Sequence, residues 1–246
     1  MKKLDTTTEQ IIEKFTHEIQ TLYGDELIAL ILYGSAAGPD FVPQRSDLNF
    51  LVVLKNVTPE ALRKAIPFVR AWHREKIATP LFVDPEFLQS SLDVFPIEFF
   101  DMQERHRLLA GQDVLLDLKI SPKNLRLQCE EELKGKLLNL RRAYLETGGR
   151  VQALEELMVS SLKSFLVITR HLLRLKGLQP AHEFLEILVQ AEEAFGISFE
   201  AIRDVHSLRV GALQLDKSNA QTLFERYLAD IEQLATCADT LLKEIR

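Results

Sequence analysis

The sequence predicts an α/β (α+β) domain over residues 1–120 and an all-α helical bundle over residues 121–246. Three observations carry this. Short apolar runs bounded by turn residues alternate with helix-patterned segments in the first half. Strand signals stop near Ser121-Pro122. Beyond that point leucines recur at helical spacing almost to the end.

The elements follow in order. Thr6 to Glu9 has capping-box spacing, and Ile12, Phe15, Ile19 and Leu22 continue a helical stripe until Gly24 and Asp25 stop it. LIALILY (Leu27 to Tyr33) and LNFLVVL (Leu48 to Leu54) are short apolar runs and read as buried strands. Pro59 to about Glu75 reads as one helix, with Leu62, Ala65, Ile66 and Val69 on one side. TPLFV (Thr79 to Val83) reads as a third strand. Between Leu88 and Leu118 the pattern is ambiguous: FPIEFFDM fits a strand or a helix entry, and Gly111 and Asp113 mark a turn.

Five helical stripes make up the bundle. Leu125, Leu133, Leu137, Leu140 and Tyr144 end at Gly148-Gly149. Leu154, Leu157, Met158, Leu162, Phe165, Ile168 and Leu172 end at Gly177. Phe184 to Phe195 ends at Gly196, and Phe199 to Leu208 is short. The last contains Leu223, Tyr227, Ile231, Leu234, Leu241 and Ile245.

Composition narrows the function classes. A net charge of −6 and a pI near 5.6 argue against binding nucleic acid through a broad basic face. No apolar run reaches the length of a membrane span, so no membrane partner is expected. MKKLDTTTEQ lacks an apolar core, so no secretory signal is expected. Cys129 and Cys237 sit in helical patterns and read as buried reduced thiols, which places the protein in the cytoplasm.

One stretch carries chemistry: LYGSAAGPDFVPQRSDLNFLVVL, Leu32 to Leu54. A Gly-Ser turn after a buried strand lets backbone N–H groups approach phosphate oxygens, with the Ser35 hydroxyl as a further donor. On the following strand Asp47, Asn49 and Leu51 share one face, so two oxygen-bearing side chains point the same way. Two acids so placed would hold a hard cation beside a triphosphate.

Leu32-Tyr33-Gly34-Ser35, a spacer from Ala36 to Arg45, then Ser46-Asp47-Leu48-Asn49 resembles the motif of the nucleotidyltransferase superfamily, in particular aminoglycoside and minimal nucleotidyltransferases. The resemblance implies a nucleotidyltransferase-like domain with a small mixed sheet, paired with a helical bundle. It implies that Gly34, Ser35 and Ser46 contact the nucleotide, that Asp47 and Asn49 hold the catalytic positions, and that Asp47 ligates Mg²⁺. ATP is the NTP it implies, with a small-molecule acceptor as substrate.

The acidic motif is degenerate. Asn49 stands where the family has its second acid, and an amide oxygen ligates Mg²⁺ without contributing charge. The family's third acid would fall on the Thr79–Val83 run, where Ala78, Pro80 and Phe82 are the aligned residues and none is acidic. Asp84, just past that run, and Glu98 are the remaining candidates. The lead expectation is therefore a nucleotide-binding pseudoenzyme with impaired or absent NMP transfer. The alternatives are an active enzyme adenylylating a small molecule or protein hydroxyl, and a non-catalytic interaction protein that forms a homodimer through its helices. Whether the chain is an enzyme is left open.

Other charged residues have plainer readings. Arg45, Arg70 and Arg74 could grip phosphates but read first as solvated surface, as do Glu130-Glu131-Glu132 and Arg141-Arg142. The six histidines lack metal-ligand spacing. Arg203 and His206 stand too close for the arginine-to-histidine pattern of the ribonuclease domains that partner minimal nucleotidyltransferases. Asn49 also has a structural reading, as an amide hydrogen-bonded to the Gly34-Ser35 turn and holding it shut.

Overall fold

The structure, a computed structural model, describes residues 4–38, 41 and 46–244. Arg45 and Ile245 lie outside the described residues. The chain divides into two compact units, Met1–Ser121 and Pro122–Arg246.

The first unit is built on a four-stranded mixed sheet. Its strands are β1 (Leu27–Tyr33), β2 (Asn49–Leu54), β3 (Leu81–Val83) and β4 (His106–Gly111), in the order β3-β2-β1-β4. β1 runs antiparallel to β2 and β4, and β2 runs parallel to β3. Both sheet faces are covered, which is why β1 and β2 are apolar without alternation. On one face, Ile12, Phe15, Ile19 and Tyr23 of α1 (Thr6–Tyr23) pack with Leu30, Leu32, Phe50, Val52 and Trp72. On the other, Ala29, Ile31, Leu51 and Val53 pack with Leu88, Phe99, Met102, Leu115 and Leu118.

Several local expectations are corrected. Asp5, not Thr6, caps α1: its carboxylate accepts the Thr8 N–H at 3.0 Å and the Thr8 hydroxyl at 2.6 Å. Glu9 is thereby released from a capping box, and it takes Arg107 of β4 in a two-pronged pair of 2.7 and 2.9 Å. Those bonds hold the Glu9 carboxyl below its usual range. Pro59 to Glu75 forms two helices, α2 (Pro59–Ala65) and α3 (Val69–Arg74), with Pro67 at the break. α4 covers Pro85–Ser90. The ambiguous FPIEFFDM segment is helical, in α5 (Pro96–Glu104). The segment read as a turn at Gly111 is the end of edge strand β4.

The second unit consists of α6 (Pro122–Thr147), α7 (Val151–Leu175), α8 (Phe184–Phe195), α9 (Glu200–Arg209) and α10 (Ala220–Glu244). Its buried residues include Leu133, Leu140, Met158, Leu162, Phe165, Leu172, Tyr227, Ile231 and Leu234. Cys129 is buried and Cys237 half-buried, and both are free thiols. The Arg203 guanidinium forks onto Glu192, and the His206 ring stacks on Phe184 at 4.3 Å. Both side chains thus serve to fix α8 against α9. No helix among the described residues is long and apolar enough to cross a membrane.

A buried carboxyl joins α10 to α9. Asp230 Oδ2 accepts the Ile202 N–H at 3.1 Å, so α10 supplies the N-terminal cap of α9. Burial pushes the Asp230 pKa up to about 6. Between the unfolded value of 3.8 and about 6, the unfolded chain releases a proton that the folded chain retains. Stability from this group therefore falls as pH rises through that window. Asp230→Asn keeps an acceptor for Ile202 and removes the titration. Urea unfolding should show the variant gaining on the native protein between pH 4 and pH 7, and parallel pH profiles would contradict this.

Candidate functional site

The Gly34-Ser35 turn is fixed from three sides. Gly34 has φ +79°, a conformation glycine adopts without penalty. Its N–H donates to the Arg105 carbonyl at 3.1 Å. The chain then winds a short 3-10 turn, Gly34–Ala37, closed by the Gly38 N–H on the Ser35 carbonyl at 3.0 Å. Ala36 and Ala37 are buried beneath it, while Ser35 is only half-buried.

The register assembles the surroundings of the turn. Tyr33 pairs with Asn49 on β2 and with His106 on β4, so the three side chains share one sheet face at the end where the turn begins. Asn49 Nδ2 stands 3.4 Å from where a Gly34 Cβ would be. The amide therefore packs against the turn, but it donates no hydrogen bond to Gly34 or Ser35 among the described residues. Burial raises the Tyr33 phenol pKa. The His106 ring lies between two acceptors, the Gln103 carbonyl at 3.0 Å and Asp113 Oδ2 at 2.9 Å. Asp47 precedes β2 and is exposed, and Ser46 beside it is half-buried.

The expected acids do not gather here. Leu81 pairs with Leu51, so Leu81 is the β3 residue on the Asn49 face, whereas Phe82 pairs with Val52 and packs toward Tyr23 of α1. Phe82 therefore lies on the opposite face, whereas Ala78 follows Ile77, the partner of Leu48, and so stands beside Asn49; neither Ala78 nor β3 offers that face an acid. Asp84 caps α4, accepting the Phe87 N–H at 2.8 Å. It follows Val83, the partner of Val53, and so lies at the far end of β2, about 23 Å from the level of Asp47. Glu98 is exposed in the first turn of a helix, about 10 Å along the axis from Arg105. Among the described residues no three His, Cys, Asp or Glu side chains come together to hold a metal. Among the described residues of the motif, one exposed carboxylate, Asp47, and the neutral amide of Asn49 fall short of the oxygen set that holds Mg²⁺.

Sequence reasoning missed Arg105. Its Cδ is 3.5 Å and its Nη1 3.9 Å from where a Gly38 Cβ would stand. The guanidinium thus lies along the turn whose first N–H its own carbonyl accepts. Arg70 and Arg74, the cations singled out from the sequence, are exposed on α3. The signal for Arg105 was its place between the end of α5 and the start of β4, a strand that the sequence pattern concealed.

No known protein-family model matches the sequence, and no curated protein does. The structure is similar to the crystal structure of spectinomycin adenyltransferase AAD(9) from Enterococcus faecialis with ATP and spectinomycin. The TM-score is 0.54 at 12% identity, over 91% of this chain and 99% of that one. The chain accordingly has a nucleotidyltransferase-like fold, a small mixed α/β sheet domain with a helical domain.

Proposed function

We propose that this protein binds a nucleotide at the Gly34-Ser35 turn and transfers NMP poorly or not at all. The observation that carries this reading is the retained turn beside an incomplete acid set. The Gly34-Ser35 turn is present, with the Gly34 N–H held on the Arg105 carbonyl, while Asn49 stands where the resemblance expects a carboxylate and β3 presents Leu81 on that face. Ser35 would donate its hydroxyl to a phosphate oxygen, and Ser46 stands at the entry to β2. Asp47, the one exposed acid among the described residues of the motif, could orient a polar group of the ligand but could not by itself offset a metal pair.

The likeness to an adenyltransferase crystallised with ATP and spectinomycin supports ATP as the nucleotide and a small molecule as a second partner. Phosphoryl and nucleotidyl transfer depend on positioning and on neutralising charge as it develops. A site short of two acids retains the first and loses the second.

The test is Asn49→Asp, with ATP affinity measured calorimetrically in Mg²⁺ and in EDTA. The added carboxylate restores the paired acids on one face, and affinity in Mg²⁺ should rise by about tenfold over affinity in EDTA. An unchanged ratio would contradict this account of the site. A second reading, pairing of two copies through the helical unit, is favoured by Leu127, Leu138 and Leu145. These exposed residues lie on one line along α6. Sedimentation as a monomer would set it aside.

A further inference from the structure

We infer that the site holds its anionic ligand without a divalent cation, with the Arg105 guanidinium supplying the positive charge that a metal supplies elsewhere. This rests on the reading of the Gly34-Ser35 turn as a nucleotide site and adds the means of charge neutralisation. A metal site needs lone pairs and negative charge turned inward, whereas the groups around this turn are mostly donors. The Ser35 hydroxyl stands on it, Asn49 Nδ2 lies against Gly34, and the Arg105 side chain runs beside Gly38.

Arg105 is built into the turn at both ends. Its carbonyl accepts the Gly34 N–H at 3.1 Å, and its Nη1 is 3.9 Å from the position of a Gly38 Cβ. The guanidinium is permanently charged, and its planar fork of N–H donors matches phosphate oxygens. Arg105 is half-buried, which strengthens a direct ion pair over one in open water. A Cβ at position 38 would stand in ordinary van der Waals contact with Arg105 Cδ, so the arginine stem runs along the turn. Among the described residues of the motif, a divalent cation in the same space would meet the guanidinium and gain one exposed carboxylate, Asp47. The ligand class is a di- or triphosphate, taken as the free anion.

The experiment is calorimetric titration of ATP, and of inorganic triphosphate, into the full chain with EDTA and with excess Mg²⁺. Native protein and the Arg105→Gln and Arg105→Lys variants are compared. The backbone bond from Gly34 survives both substitutions, and thermal melts establish that they fold. The native protein should bind at least as tightly in EDTA as in Mg²⁺. Arg105→Gln should weaken binding in EDTA by about tenfold or more, and Arg105→Lys by less. Binding only in Mg²⁺, or native affinity in Arg105→Gln, overturns the inference and leaves the nucleotide reading standing. No binding by the native protein in either buffer overturns both.

Discussion

Gly111→Ala should destabilise the α/β unit by about 4 kcal/mol, the sum of a left-handed backbone for alanine and a steric clash. Gly111 closes β4 opposite Ala29 with φ +79°. A Cβ there would stand 2.0 Å from the Ile28 carbonyl oxygen and 2.8 Å from its carbon. Those atoms belong to the backbone of β1, and the same oxygen accepts the Gln112 N–H at 2.9 Å. No rotamer relieves the contact, so β4 must shift away from β1. The consequence reaches the site, because β4 delivers Arg105 and His106 to the Gly34 turn. Urea denaturation reports the loss directly, and a cost under about 1 kcal/mol, typical of a surface change, would contradict the register.

Phe50→Ala is expected to cost a similar amount, about 4 kcal/mol, through cavity formation and a lost aromatic contact. Phe50 is 1% exposed, and its ring stacks on Phe15 at 4.1 Å between centroids. Phe15 in turn meets Trp72 edge-on at 5.2 Å, and Trp72 donates its Nε1–H to Glu18 at 2.6 Å. The three rings tie α1 and α3 to β2. Phe50 follows Asn49 but points to the opposite face, so this substitution removes core and leaves the turn's contacts intact. Denaturant unfolding of Phe50→Leu, which refills most of the volume, should recover more than half of the loss.

These two positions mark the limits of what the sequence shows. Leu27–Tyr33 and Asn49–Leu54 are legible because both sheet faces are buried, so each strand is a dense apolar run flanked by turn residues. The α/β class and the helical character beyond Ser121 follow from the same periodicities. β4 is hidden for the converse reason. It is an edge strand whose residues are half-buried or exposed, and His106 and Arg107 are spent on Asp113 and Glu9. Its apolar run is only Leu108-Leu109-Ala110, too short to read as a strand, and its strand character comes from pairing with β1. The capping-box reading failed because Asp5 outcompetes Thr6 for the Thr8 N–H, an ambiguity of one residue that spacing cannot resolve.

The site divides in the same way. Gly34, Ser35, Asp47 and Asn49 lie within one short stretch of chain, so their motif is visible in order. Arg105 reaches the turn across β1, and only the strand register brings it there. The departure at Asn49 was visible in the sequence, and its meaning depends on what faces it. With Leu81 on the neighbouring strand and Asp84 at the far end of β2, the amide is not compensated by an acid from β3.

The central claim is that the Gly34-Ser35 turn still binds a nucleotide although the acids for metal-dependent transfer are missing. It is tested most directly by calorimetric titration of the native chain with ATP and GTP, with and without Mg²⁺. The account predicts saturable binding that persists in EDTA, with no NMP transferred to an acceptor over the same period. Absence of binding in both buffers would contradict it.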